Sequence, residues 1–318
     1  MQVLLAACRR LWQASPALTA VGLGMLAVFV LTLAGLVADP RVISGAPAWL
    51  KPAKFAISTA IYAITFAWIF TYLTAWPRLA RIVGATTAGV LVLEVASIAA
   101  QAARGTTSHF NVGTPLDAVV FGVMGIGIVV QTLAAIAVAV ALWRQPFADR
   151  ALGWALRLGM TITIIGASTG GMMTVPTEAQ IANARATHQM PLSGAHTVGG
   201  PDGGPGIVGT GWSREHGDIR VPHFLGLHAL QGLALVALFL PRRSPDARRV
   251  RLTLVAAGSY VALFVVLLVQ ALRGEPLMTP SAPILVSFAI WVLGSALAVW
   301  LATAPRAAAA RGSAIVVG

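Results

Sequence analysis

Cysteine is almost missing from this 318-residue chain. Cys8 is the only one, which excludes an intrachain disulfide framework and any zinc or iron–sulfur centre held by several thiolates. Charge is scarce as well: Asp, Glu, Lys and Arg make up 10% of the residues, against about 25% in ordinary soluble domains, so a soluble fold is excluded. Carboxylates are the rarer sign, with 10 Asp and Glu against 22 Lys and Arg. The resulting net charge of +12 invites a nucleic-acid reading. The basic residues, however, flank apolar runs and do not cluster with polar or aromatic readers, so nucleic acid is excluded as a partner.

What remains is apolar, with 57% hydrophobic residues and a mean hydropathy of +0.81. Eight stretches reach the roughly 20 apolar residues that a helix needs to cross the hydrocarbon layer. They cover 16–37, 52–73, 82–102, 115–143, 152–175, 221–240, 250–272 and 282–302. The expected fold is all-α: a polytopic membrane helix bundle with eight transmembrane helices, one domain over 1–318, and a long glycine-rich outer loop over 176–220. Ser15-Pro16, Thr114-Pro115-Leu116-Asp117 and Ser244-Pro245-Asp246 each place a side-chain acceptor before a helix-starting proline. Asp117 therefore reads first as a capping carboxylate. Within the outer loop, 177–188 reads as a short surface helix, and the glycines that follow read as a cover over the bundle mouth.

Most basic residues, among them Arg9, Arg10, Arg78, Arg81, Arg242, Arg243, Arg306 and Arg311, fall on one set of connections. The positive-inside rule then predicts both termini on the cytoplasmic side of the membrane. Leu5-Ala6-Ala7-Cys8 looks like a lipoprotein cleavage box, yet lacks the basic and apolar segments that should precede one. Two glycine-rich runs, 84–89 and 166–171, are alike enough to raise an internal repeat, or simply close helix approach.

Ionisable groups inside spans are costly and tend to face a protein interior. Glu94 stands within the third span, followed by Ser97, Gln101 and Arg104 on a stripe about 80° wide. His223 and His228 enter the sixth span. Their five-residue spacing turns them roughly 140° apart on a regular helix, so a shared centre needs a third group from elsewhere. His109, after the third span, is the candidate. Together His109, His223 and His228 suggest metal ligands or axial ligands of a b-type haem, with Glu94 or Asp218 completing the set. Lys51, Lys54 and Arg104 suggest a seat for an anionic small molecule or a haem propionate. Met172, Met173 and Met190 suit packing better than copper.

The segments Lys51-Pro52-Ala53-Lys54-Phe55, Gln101 through Asn111, Pro201 through Gly206 and Gly217 through Gln231 resemble an uncharacterised family of bacterial multi-spanning membrane proteins. The likeness covers most of 48–232, and His216 departs from the family pattern. It implies a bacterial inner-membrane location and assigns no activity. Two other families do not fit. Intramembrane serine hydrolases need a His-x-x-x-His pair that His223 and His228 miss, and cytochrome b561-like proteins carry more paired histidines.

The leading expectation is a redox or metal-dependent membrane protein with catalytic roles at Glu94, Gln101 and Asp218. An anionic group would lie against Lys51, Lys54, Arg104 and His109, and haem b or a transition metal is the suspected cofactor. The alternative is a proton-coupled transporter of a small solute, in which Glu94 alternates between protonation states. A third reading is an assembly partner of another membrane complex.

Overall fold

The computed structural model of the protein describes residues 2–304; the alanine-rich tail with Arg306 and Arg311 lies outside the described residues. The chain is a multi-pass helical membrane protein. Its helices are α1 (Gln2–Ala14), α2 (Pro16–Ala38), α3 (Leu50–Phe70), α4 (Pro77–Ala103), α5 (Pro115–Arg144), α6 (Arg150–Met172), α7 (Glu178–Thr187), α8 (Arg220–Leu227), α9 (Ala229–Phe239), α10 (Asp246–Leu272) and α11 (Ala282–Thr303). Among the described residues seven are single helices long and apolar enough to cross a bilayer, and α8 with α9, bent by 45°, together have the length and apolar character of one more. The sheet content is two small ribbons: β1 (Val42–Ile43) with β2 (Ala46–Pro47), and β3 (Thr197–Val198) with β4 (Gly217–Asp218).

The starts of the helices follow the local chemistry in two of three expected places. Ser15 accepts from Leu18 N, and Thr114 accepts from Asp117 N at 3.2 Å. Ser244 is the exception. Its N–H is spent on a tight turn to Pro241 O, and Pro245 takes the cap position with no side-chain bond. The surface helix expected over 177–188 forms as α7, with Thr177 and Gln180 making a complete capping box. The amphipathic α1, only 13 residues long and too short to span, was not anticipated.

In a bilayer, lipid tails are as apolar as leucine, so helices are held together by close packing of small residues and by buried polar bonds. The central helices α3 and α6 obey this. Ala56, Ala60, Ala63 and Ala67 fall on one face of α3 at three- and four-residue spacing, and each is 0% exposed. On α6, Gly159, Thr163, Gly166 and Gly170 make the matching stripe against α8 and α9. A Cβ on Gly159 would stand 2.8 Å from Leu230 Cα, and one on Gly166 would stand 2.4 Å from Gly226 Cα. The glycine run of α6 is thus a close-approach surface. The similar run in α4 differs, because Gly84 meets Ser15 Oγ whereas Gly89 faces open space.

The bend between α8 and α9 falls at His228, whose backbone (φ −93°, ψ 5°) leaves the helical region. Freed backbone groups inside a membrane have to find partners within the protein. Thr163 of α6 supplies both sides of the break: its hydroxyl donates to Leu227 O at 3.4 Å and accepts from Leu230 N at 3.2 Å. Tyr260 of α10 donates to Leu225 O at 2.6 Å. At the opposite end of the bundle, Arg157 donates to Leu142 O and Gln145 O, closing the last turn of α5, and Arg249 pairs with Asp149 at 2.8 Å.

Gly226→Ala should therefore act as overpacking at a backbone-to-backbone crossing, costing about 1–3 kcal/mol. A thermal or denaturant melt of the purified protein checks it, with Gly89→Ala, which meets open space, expected to melt close to the unmodified chain.

Candidate functional site

The chain folds polar groups together at the end of the bundle where α3 begins and α4 ends. After α4 the backbone turns at Gly105 (φ 75°) and dips back toward the bundle. It is pinned there by Asn111 Nδ2, which donates to Thr106 Oγ1 and Thr107 O, and by Phe110 O, which accepts from Ser193 N at 2.8 Å. Phe110 is buried and sits at φ 63°, a left-handed conformation that costs a non-glycine residue on the order of 1–3 kcal/mol. The result is that the preceding residue, His109, points inward.

His109 Nδ1 lies 3.0 Å from Lys51 Nζ and 3.1 Å from Ser108 Oγ, and its Nε2 lies 3.4 Å from Glu94 Oε1. Glu94 sits nine residues before the end of α4, or about 14 Å along the axis. A lysine ammonium has only donors, so Nδ1 accepts, and the neutral ring carries its proton on Nε2, facing the carboxylate. Burial first, and the Lys51 ammonium second, hold the His109 imidazole well below its ordinary range, so the ring is neutral at physiological pH. The Glu94 side chain is only 6% exposed and that of His109 23%, so this is an interior chain of polar groups leading from Glu94 through His109 to Lys51. Phe55 and Phe110 flank the imidazole at 5.8 Å and 6.1 Å between ring centroids.

Other expected site residues are placed elsewhere. Gln101 and Arg104 share the face of Glu94 but lie two or more turns along the helix, where both reach Asp117. Gln101 Nε2 donates to Asp117 Oδ1 at 2.9 Å, and Arg104 Nη1 pairs with the same oxygen at 2.8 Å. The expected single polar stripe is therefore two separate clusters. Asp117 holds the second one, because its other oxygen takes the Thr114 hydroxyl at 2.7 Å in place of completing a capping box. Asp218 is fully engaged by Arg220 at 2.6 Å and by Ser213 N at 2.7 Å, and fixes the entry to α8.

The histidines divide as well. His223 Nδ1 is 2.9 Å from Gly166 O and 3.2 Å from Thr169 Oγ1, so it fastens α8 to α6. His228 packs against Phe224 with the rings tilted by 56° and centroids 4.3 Å apart. Because His228 sits at the helix break, the 140° separation drawn from a regular helix does not describe this pair. Among the described residues no group of three His, Cys, Asp or Glu side chains is placed to hold a metal ion. Nδ1 of His109 is taken by Lys51 and Ser108, and its Nε2 stands 3.4 Å from Glu94 Oε1. Met173 packs with Phe110 and Ile219, as expected of a core methionine.

The glycine-rich loop covers this end of the bundle. Asp202 draws it inward, accepting from the N–H groups of His196 and Thr197, from Thr197 Oγ1 at 2.6 Å and from His196 Nδ1 at 2.8 Å. Burial opposes ionisation of Asp202, but these bonds outweigh it and hold the carboxyl well below the usual carboxylate range. At the loop tip, Lys54 Nζ donates to Thr210 O and Arg220 Nη2 to Gly211 O. Sequence reading did not reach Ser108 or the His196–Asp202 latch. The only signal for either was adjacency: Ser108 precedes His109, and Asp202 stands alone in a glycine run.

Lys51→Met removes a positive neighbour and a donor to Nδ1, and both changes favour the imidazolium. The pKa of His109 should therefore rise toward its ordinary value, read from the ring 15N shifts of histidine-labelled protein; an unchanged titration would contradict the contact. The low pKa also predicts that His109 withdraws stability as pH falls below about 6.5, where the unfolded chain binds a proton that the folded site refuses. Comparison with protein-family models, with curated proteins and with solved structures finds no match for this chain.

Proposed function

We propose that this chain is a bacterial inner-membrane protein, with both termini cytoplasmic and the glycine-rich loop outside, that moves a proton together with a small solute. The observation that carries the reading is the interior run from Glu94 through His109 to Lys51. It joins a carboxylate deep in α4 to the mouth of the bundle by groups that each hold or pass a proton. Lys51 Nζ–H hands a proton to His109 Nδ1, and His109 Nε2–H hands its own to Glu94. The ring stays neutral throughout, Glu94 becomes a carboxylic acid, and Lys51 is left as an amine that regains a proton from outside water. A buried carboxylate reached in this way is the usual element of a proton relay in membrane carriers.

The break at His228 supports the same reading, since interrupted helices beside a polar site are common in secondary transporters. The excess of arginines on the connections opposite the glycine-rich loop supports the orientation. Haem or metal chemistry draws support only from the presence of histidines near one end of the bundle.

In proteoliposomes loaded with a pH dye, a panel of organic acids, amino acids, sugars and inorganic phosphate should include at least one solute whose addition acidifies the lumen. Glu94→Gln should reduce that proton movement by at least about a hundredfold, as expected when a general acid–base group is removed. Stoichiometric haem or metal in the purified protein, with proton movement indifferent to Glu94→Gln, would overturn the reading.

A further inference from the structure

The charges at the mouth of the bundle do not cancel. Arg220 is matched by Asp218, Asp202 is taken by His196 and Thr197, and Glu94 faces His109. Lys51 and Lys54 are left over. They lie one turn apart on the same face of α3, both half-buried, and within the described residues neither is in ion-pair distance of a carboxylate. Among the described residues their acceptors are uncharged: His109 Nδ1 for Lys51 and the Thr210 carbonyl for Lys54. Each ammonium has three donors and uses one. Two like charges drawn partly out of water, with the nearby carboxylates beyond ion-pair distance and already engaged by other groups, are stabilised by an anion that reaches both.

We propose that Lys51 and Lys54 together bind a small oxyanion, a carboxylate or phosphate group, under the tip of the glycine-rich loop. As the identity of the moved solute, this rests on the proton-coupled reading above; as a binding site it stands apart from it. The loop tip responds to the ligand. Lys54 and Arg220 hold two successive carbonyls, Thr210 O and Gly211 O, so two cations tie the tip to the bundle. The bond from an ammonium to a carbonyl is already charge-assisted, and Lys54 keeps two further donors to offer an oxyanion. The anion takes these spare donors and restrains the ammonium, so both ties of the tip stay in place and the tip is steadied. Gly209 (φ 82°) and Gly211 (φ 68°) adopt backbone that favours glycine, which sets the shape of this tip.

The test uses the full chain in zwitterionic nanodiscs with no proton gradient. Inorganic phosphate and succinate are titrated separately, following the melting temperature and hydrogen exchange over 207–212. At least one anion should raise the melting temperature while slowing exchange at Gly211 N–H, which is bonded to Ile207 O. Lys51→Gln and Lys54→Gln should each weaken binding about tenfold or more, the loss of one charge-assisted contact. Lys54→Arg, which keeps the charge, should retain most of it and shows that the site still folds. A parallel arm replaces the soluble anion with phosphatidylglycerol in the disc. The same lysine-dependent response there assigns the oxyanion to a lipid headgroup. Absence of lysine-dependent binding in both arms overturns the site. Lysine-dependent binding in a protein whose Glu94→Gln variant moves protons normally removes the proton-coupled reading and leaves the anion site standing.

Discussion

Everything at the polar end of the molecule depends on how closely α8 approaches α6. Gly166 and Gly226 bring the two backbones into contact, with no room for a Cβ on either side. Within that distance Thr163 reaches both faces of the break at His228, and His223 reaches the carbonyl of Gly166. One side chain in α6 thus satisfies backbone groups that lipid would leave bare, which is the condition for a bend inside a membrane. With the bend fixed, Arg220 at the start of α8 comes to lie beside the loop tip, and Asp218 fixes its guanidinium. The crossing is a packing event with an electrostatic consequence many residues away.

The buried polar groups sort into two kinds by whether their charges close. Arg104 with Asp117, Arg220 with Asp218 and Arg249 with Asp149 are ion pairs, each with one buried member, that hold neighbouring segments in place. Removing one partner of such a pair strands the other, so their role is to hold position. Lys51, Lys54, His109 and Glu94 do not resolve in this way. Two ammonium groups, a neutral imidazole and a single interior carboxylate leave the mouth with unspent donors and a place for a proton to go. Chemistry is better sought where the charges stay open than where they close, which separates Glu94 from Asp218 although sequence reading grouped them.

Architecture was legible because its signal is long. Twenty-residue apolar runs with proline starts locate the passages to within a few residues, and the capping box of α7 is a local pattern with a local cause. The break at His228 was not legible, because Phe224-Leu225-Gly226-Leu227-His228 continues an acceptable helical sequence; what ends the helix there is Thr163 and Tyr260, from elsewhere in the chain. The grouping of Gln101 with Glu94 failed for a related reason. Helical angle tells which residues share a face, but two turns separate them along the axis by about 10 Å, and Asp117 on the next helix claims the farther one. The meeting of Glu94, His109 and Lys51 was half visible: each residue was singled out, but their order required a loop that returns into the bundle.

That return is carried by Phe110. A left-handed backbone on a buried phenylalanine is unfavourable, and a glycine there would relieve it. The side chain compensates by packing: Phe110 meets His196 at 4.9 Å, Phe121 at 5.8 Å and His109 at 6.1 Å, and shares a cluster with Met173 and Ile219. A glycine would accept the backbone angle but lose the ring that closes the space between α4, α5 and the loop latch. The aromatic ring therefore does two things that no smaller residue does together. It helps to bury the imidazole, which with the Lys51 ammonium keeps His109 neutral, and it holds the loop that aims His109 at Glu94. The strain at this one position is what connects the covering loop to the interior carboxylate.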